Sequence, residues 1–266
     1  MPAQFEATPL IGPDDPPPCS IINAHSTTRF LLVCDHYGRA FPARMHRLGL
    51  ADWVLEQHVA WDIGAGDVAR HLAARFEAPL IHANYSRLVI DTNRSPDDPT
   101  SCAAVSGGIA IPGNLELSDA ARRARRRAFF DPYHNAIAAR LAAMHARTGV
   151  PALIAIHSCT PVFDRVVRPW HIGVLWDKDP RIAMPLLDHL RVREGVCVGD
   201  NEPYSGRDPH DYTIDHHAEA NRIPHVAIEI RQDLIDTPAG AHHWADVLAD
   251  ALAPILADDA LYTLLP

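Results

Sequence analysis

Three short apolar runs constrain this chain more than any other feature. FLLVCDH (30–36) ends on His36, ALIAIHS (152–158) passes through His157, and HVAIEIR (225–231) carries Glu229. Each run is leucine-rich or β-branched and follows a turn signal, which predicts three buried strands. In an open α/β sheet, ligands and chemistry collect at the carboxyl ends of the strands. Two histidines and a glutamate at three such ends point to a hydrolytic metal site.

The rest of the chain alternates in the same manner. Helical spacing covers 43–57, 63–76, 118–148, 180–193 and 238–257, with Ser118 as a helix cap. Further strands are expected at APLIHA (78–83), RLVID (87–91), HIGVLW (171–176) and GVCVG (195–199). A β-α-β-α order implies a single-domain layered α/β fold with a largely parallel sheet. Residues 1–28 are proline-rich and aperiodic and read as an extended N-terminal arm, with the globular domain over 29–266. The segment 92–114 is rich in Ser, Pro, Gly and Asp and long enough to be functional, and the loop 95–116 is a candidate to close over the site.

With 266 residues and 47% hydrophobic content, the chain can bury a full core. Its net charge of -9 and pI near 6.0 argue against nucleic acid or an anionic membrane as partner. The run ARRARRRAFF (121–130) is the exception; it is read as an exposed helix face or, as the rarer alternative, a nucleic-acid patch. No apolar stretch approaches about 18 residues. The N-terminus lacks a secretory pattern, and five scattered cysteines without CxxC suit a reduced compartment, so a cytoplasmic location is expected. A homo-oligomer is open to the chain.

A catalytic zinc takes three protein ligands, leaves one position for water, and needs a nearby acid to accept the water's proton. His36 and His157 are the first two candidate ligands. Asp62, in HVAWDIGAG, is the third, with a plain helix cap as its alternative. Glu229, flanked by aliphatic residues, is the candidate base; a buried pair with Arg231 or another arginine is the alternative. Arg87 and Arg94 bracket RLVIDTNR and suit bidentate capture of a carboxylate, or a structural pair with Asp91. His216 and Glu219 in DHHAEANR form a second candidate metal pair at i, i+3 spacing, and the adjacent His217 a candidate substrate contact. HExxH and GxSxG are absent, and Cys159 is read as structural rather than as a thiol nucleophile.

Taken together, DHYG, WDIGA, SRLVIDTNR, HSCTP and IEIRQDLI resemble the N-formylglutamate amidohydrolase family, in order and spacing, across roughly residues 30–255. The resemblance implies a three-layer α/β/α sandwich with a mixed sheet, like that of the zinc exopeptidases. It implies hydrolysis of an N-formyl or other N-acyl amide of an acidic amino acid. N-formylglutamate would give glutamate and formate, the last step of one histidine-degradation route. It implies a divalent metal, with Zn²⁺ expected, on His36, Asp62 and His157, a catalytic Glu229 by fold analogy, and substrate contacts from Arg87, Asn93, Arg94 and His217. The chain departs from many relatives in having Asp35, where proline precedes the first histidine, and it lacks HxxE after His36. The segment RPWHIGVLWDKDP resembles a subgroup whose substrate differs. Alternatives are a carboxypeptidase-like or other N-acyl amino-acid hydrolase, or a non-catalytic protein that binds acidic ligands.

Overall fold

A computed structural model describes residues 9–207 and 211–266. Its strands are β1 (Cys19–Ile22), β2 (Phe30–Cys34), β3 (Leu80–Ala83), β4 (Val105–Ser106), β5 (Ile109–Ala110), β6 (Ala152–Cys159), β7 (Val162–Phe163), β8 (Val166–Val167), β9 (Ile172–Leu175), β10 (Val198–Asp200) and β11 (His225–Arg231). The α-helices are α1 (Asp52–Leu55), α2 (Ala65–Arg75), α3 (Asp119–Arg125), α4 (Asp131–Thr148), α5 (Pro180–Arg191), α6 (Tyr212–Ile214) and α7 (Pro238–Leu256). Seven strands form the main sheet in the order β1-β3-β2-β6-β11-β9-β10. β3, β2, β6 and β11 run parallel, β9 reverses against β11, and β1 closes one edge antiparallel to β3. The sheet is therefore mixed but largely parallel.

Period-2 alternation sorts each central strand between two layers. Leu32, Ile154, Ile156, Ile228 and Ile230 face α2, α5 and α7, where they meet Val68, Leu72, Leu186, Leu248 and Leu252. Leu31, Val33, Leu153, Ala155 and Ala227 face the other way, onto Tyr133, Ile137 and Met144 of α4 and Ile214 of α6. Helices thus cover both faces, giving a three-layer α/β/α sandwich. Within the proline-rich N-terminal segment, β1 adds to the sheet edge, and Asn84 Nδ2 donates to the Pro17 carbonyl at 2.9 Å. Residues 1–8 of the expected arm lie outside the described residues.

Several expected elements differ. RLVID is not a strand: the hydroxyl of Ser86 accepts from Leu88 N and donates to the Ala60 carbonyl, and Val89 N bonds the Ser86 carbonyl, closing a turn over 86–89. Leu88 then packs in one small apolar cluster and Val89 and Ile90 in another, so the apolar run reflects burial rather than sheet pairing. The helix expected at 43–57 splits: left-handed backbone at His46, Arg47 and Leu48 breaks a 3-10 stretch over Ala43–Gly49, and extended backbone at Leu50 and Ala51 separates it from α1. The long helix at 118–148 is capped by Ser118 but carries a π turn over 126–130. Pro132, which has no N–H to give a regular helix bond, accounts for that break. The Arg-rich run is not wholly exposed. Arg125 is buried and donates to the Val89 and Gly113 carbonyls and to Asn114. With Asn114, whose Nδ2 donates to the Leu88 and Ala103 carbonyls, it pins the far end of the 92–114 segment.

Candidate metal centre

Two backbone devices bring the first two site residues together. Directly after β2 the chain turns at Gly38, where a side chain would collide with the Asn84 backbone at 2.0 Å. The His36 carbonyl accepts a hydrogen bond from Asp62 N at 3.0 Å. Gly64, at φ 78° and with a Cβ position 2.1 Å from the Ile235 carbonyl oxygen, is the residue that caps α2. Asp62 is therefore not the helix cap, and its carboxylate is free to turn inward.

His157 arrives by strand alternation. It continues the face of Leu153 and Ala155, and β11 sets Glu229 beside it in parallel register. All four side chains lie at the carboxyl end of the parallel strands and are buried.

Asp62 is the meeting point. Its Oδ2 lies 3.1 Å from His157 Nδ1 and 3.4 Å from His36 Nδ1. The ligand atoms of His36, Asp62 and His157 lie within 4.8 Å of one another. Each histidine gives its other nitrogen to a second carboxylate: His36 Nε2 to Asp91 Oδ1 at 2.7 Å, and His157 Nε2 to Asp35 Oδ2 at 3.1 Å. Such outer carboxylates fix the ring and tautomer so that the inner nitrogen offers its lone pair to an ion.

Electrostatics agree with that geometry. Burial works against a charged His157, but its bonds to Asp35 and Asp62 win and hold its pKa well above the ordinary imidazole value. Burial and the Arg87 charge likewise oppose protonation of His36, and Asp91 and Asp62 outweigh them. Asp62, despite its burial, is held well below the usual carboxylate range by His36 and His157. Without an ion, protons neutralise this carboxylate cluster; a divalent cation would displace them. Two imidazole nitrogens and one carboxylate, with His36 Nδ1 buried and short of a hydrogen bond although it faces Asp62, fit such a cation.

Glu229 is different. Burial, with the Asp62 charge adding to it, raises its pKa to about 7 against the pull of His157, and its Oε2 has no hydrogen-bond partner. The expected alternative, a pair with Arg231 or another arginine, does not form among the described residues; Arg231 bonds Asp233. A carboxyl poised near neutrality beside a candidate metal set can accept and return a proton.

These groups line a cavity of about 390 Å³, together with Arg87, Asp91, Asn93, Arg94, His58, Phe163, Tyr204 and Asp211. Arg87 makes the structural pair with Asp91, through Nη2 at 2.7 Å and Nε at 3.2 Å, and reaches Asp62 at 3.3 Å. Asn93 lines the cavity while its Oδ1 accepts from Thr213 N. His217 is not a wall of this cavity; its Nε2 meets His134 Nδ1 at 2.9 Å, and the second nitrogen of His134 binds the Thr92 carbonyl. Residues 95–116 contribute nothing to the lining. The second metal pair does not assemble: His216 stacks on Tyr212, while Glu219 bonds Lys178. Burial drives the Cys159 thiol far up, which makes it inert.

Asp35 is the main partner that sequence reasoning left without a role. Its Oδ1 accepts from Tyr133 at 2.9 Å and from Thr213 at 2.5 Å; against burial, His157 first, then the His36 charge and the Thr213 bond, bring its pKa to about 2. Alternation from Leu31 and Val33 would have set it on the His157 face; nothing local foretold Tyr133 or Thr213.

The family model for N-formylglutamate amidohydrolase matches residues 28–236. Among solved structures, a gene product of Agrobacterium tumefaciens is 34% identical, with a TM-score of 0.90 over 93% of this chain and 98% of that one. An N-formylglutamate amidohydrolase from Ralstonia eutropha JMP134 is 20% identical and shares the fold, with a TM-score of 0.63 over 90% of this chain and 97% of that one. No curated protein matches by sequence.

Proposed function

The chain belongs to the N-formylglutamate amidohydrolase family, and from that premise we propose that it cleaves the N-formyl amide of an acidic amino acid, N-formyl-L-glutamate and water giving glutamate and formate. It is a metal-dependent amidohydrolase. The observation that carries the proposal is the convergence of His36 and His157 on Asp62, with the partnerless Glu229 beside them.

His36, Asp62 and His157 would hold the ion, and Zn²⁺ is the ion expected on two imidazoles and a carboxylate. When bound, it polarises the acyl carbonyl and makes water acidic enough to lose a proton near neutral pH. Glu229 takes the proton of the attacking water and delivers it to the amide nitrogen as the C–N bond breaks. Arg87, fixed by Asp91 and Asp62, stands ready for the negative charge that develops on the carbonyl oxygen. Arg94 and Asn93 orient the α-carboxylate of the substrate.

The test is formate release from N-formyl-L-glutamate before chelation, after it, and with zinc returned. Turnover that disappears and comes back supports the reaction and the metal together. Metal-loaded protein that releases no formate refutes the substrate.

A further inference from the structure

The formylated acidic amino acid proposed as substrate carries two carboxylates, and assigning a partner to each rests on that reading of the site. Two arginines line the cavity. Arg87 is committed on both edges to Asp91 and Asp62. Arg94 is held loosely, its Nε 3.6 Å from Asp91 Oδ2, and can take one anion. A second anion lacks a free cation among the described lining residues.

Arg168 supplies one. It follows the β7–β8 hairpin and is only 6% exposed, yet among the described residues no carboxylate pairs with it. Its guanidinium makes long contacts from Nη1 to the Thr160 carbonyl at 3.3 Å and hydroxyl at 3.2 Å and also meets the Tyr204 side chain, all of them neutral partners. The guanidinium stacks on Phe163 at 4.9 Å and on Tyr204 at 4.7 Å, and both rings are walls of the cavity. Its charge is felt at His58 and Tyr204 on the cavity wall. The backbone is fixed, since Arg168 N bonds the Pro161 carbonyl at 2.8 Å and its own carbonyl accepts from Arg231 Nη1 at 3.1 Å. A buried cation without a counterion is costly to maintain, and an incoming carboxylate would supply that counterion.

We infer that Arg168 is the specificity-determining cation of the site, taking the side-chain carboxylate of the substrate between Phe163 and Tyr204 while Arg94 and Asn93 take the α-carboxylate. Glutamine has the same shape without the charge. It would leave Arg168 unpaired and so be disfavoured.

The experiment compares L-glutamate with L-glutamine by calorimetric binding to the metal-loaded protein, and their N-formyl derivatives by kcat/KM. Wild type should prefer the glutamate member of each pair. In Arg168→Gln the preference should fall by about thirty-fold, the weight of a charge-assisted hydrogen-bonded pair, and Arg168→Lys should recover part of it. A role confined to holding the hairpin would weaken both ligands alike and leave the ratio intact, which overturns the inference. So does a wild type that does not discriminate, a result that requires no variant. Selective glutamate binding with no formate release would sink the hydrolysis reading and leave Arg168 assigned. Equal hydrolysis of both formyl compounds would do the reverse.

Discussion

The two faces of the central sheet come from alternate residues of the same strands in the same register, yet they end differently. Toward α2, α5 and α7 the strands stay apolar nearly to their ends: Leu32 and Cys34 in β2, Ile154 and Ile156 before Ser158 in β6, Ile228 and Ile230 in β11. Toward α4 and α6 they begin apolar with Leu31, Leu153 and Val33 and then turn polar at Asp35, His157 and Glu229. The difference shows that one face of the strands supplies His157 and Glu229 in its final turn of alternation, and that His36 just past β2 and Asp62 just before α2 complete the site. One helical layer holds the strands rigid while the other carries the partners that orient charged groups, such as Tyr133 and Thr213 on Asp35.

Substitutions at adjacent residues sharpen that contrast. Glu229→Gln should lower turnover by about 10³-fold, the weight of a lost general base, with metal content by atomic emission unchanged. Full activity in this variant would remove Glu229 from the mechanism. Ile228→Ala, one residue earlier on the other face, should cost about 3 kcal/mol of unfolding free energy in a denaturant titration. Its kcat/KM per folded molecule should stay within about threefold, as rate and stability separate across the sheet. If Ile228→Ala damaged catalysis as much as Glu229→Gln, the two faces would not be independent.

Asp35→Asn tests whether the helical layer on the polar face tunes the site. Losing the carboxylate behind His157 should weaken metal binding by about 10- to 100-fold in competition with a chromogenic chelator. Tyr133→Phe, which removes one bond to that carboxylate, should do less. The smallest effect is a pH dependence in metal-free protein. Burial raises Glu229 to about 7, so between its ordinary 4.5 and that value the folded state holds a proton the unfolded chain has released. The stability of the protonated form is therefore fully present below the ordinary value and lost as pH rises through the folded one. Glu229→Gln has no such loss, so its melting temperature should gain on wild type from acid to neutral pH. A constant gap would mean that Glu229 is not desolvated.

The same asymmetry governs what could be read in advance. β2, β6 and β11 and helices α2, α5 and α7 were legible because the apolar face imposes a period on the sequence. His36, Asp62 and His157 were legible as residues of metal-binding type at strand or helix ends. The turn at 86–89 was not, because an apolar run looks alike whether it pairs in a sheet or packs singly into small clusters. Arg87 bonds Asp91 as the strand reading suggested, but through that turn. Arg168 gave no local signal, since its burial comes from Phe163 on its own hairpin and from Tyr204, distant in sequence.

The sequence by itself determined the layered α/β class, most of the elements and the family to which the chain belongs, because periodicity and motif spacing are local properties. Only the tertiary structure decided the reversal of β9 against β11, the convergence of two imidazoles on Asp62, the second carboxylate behind each, and the parting of His217 from the site. Those are relations between residues tens to nearly two hundred positions apart. They are set by how layers pack and which buried charges find partners, neither of which a linear pattern encodes.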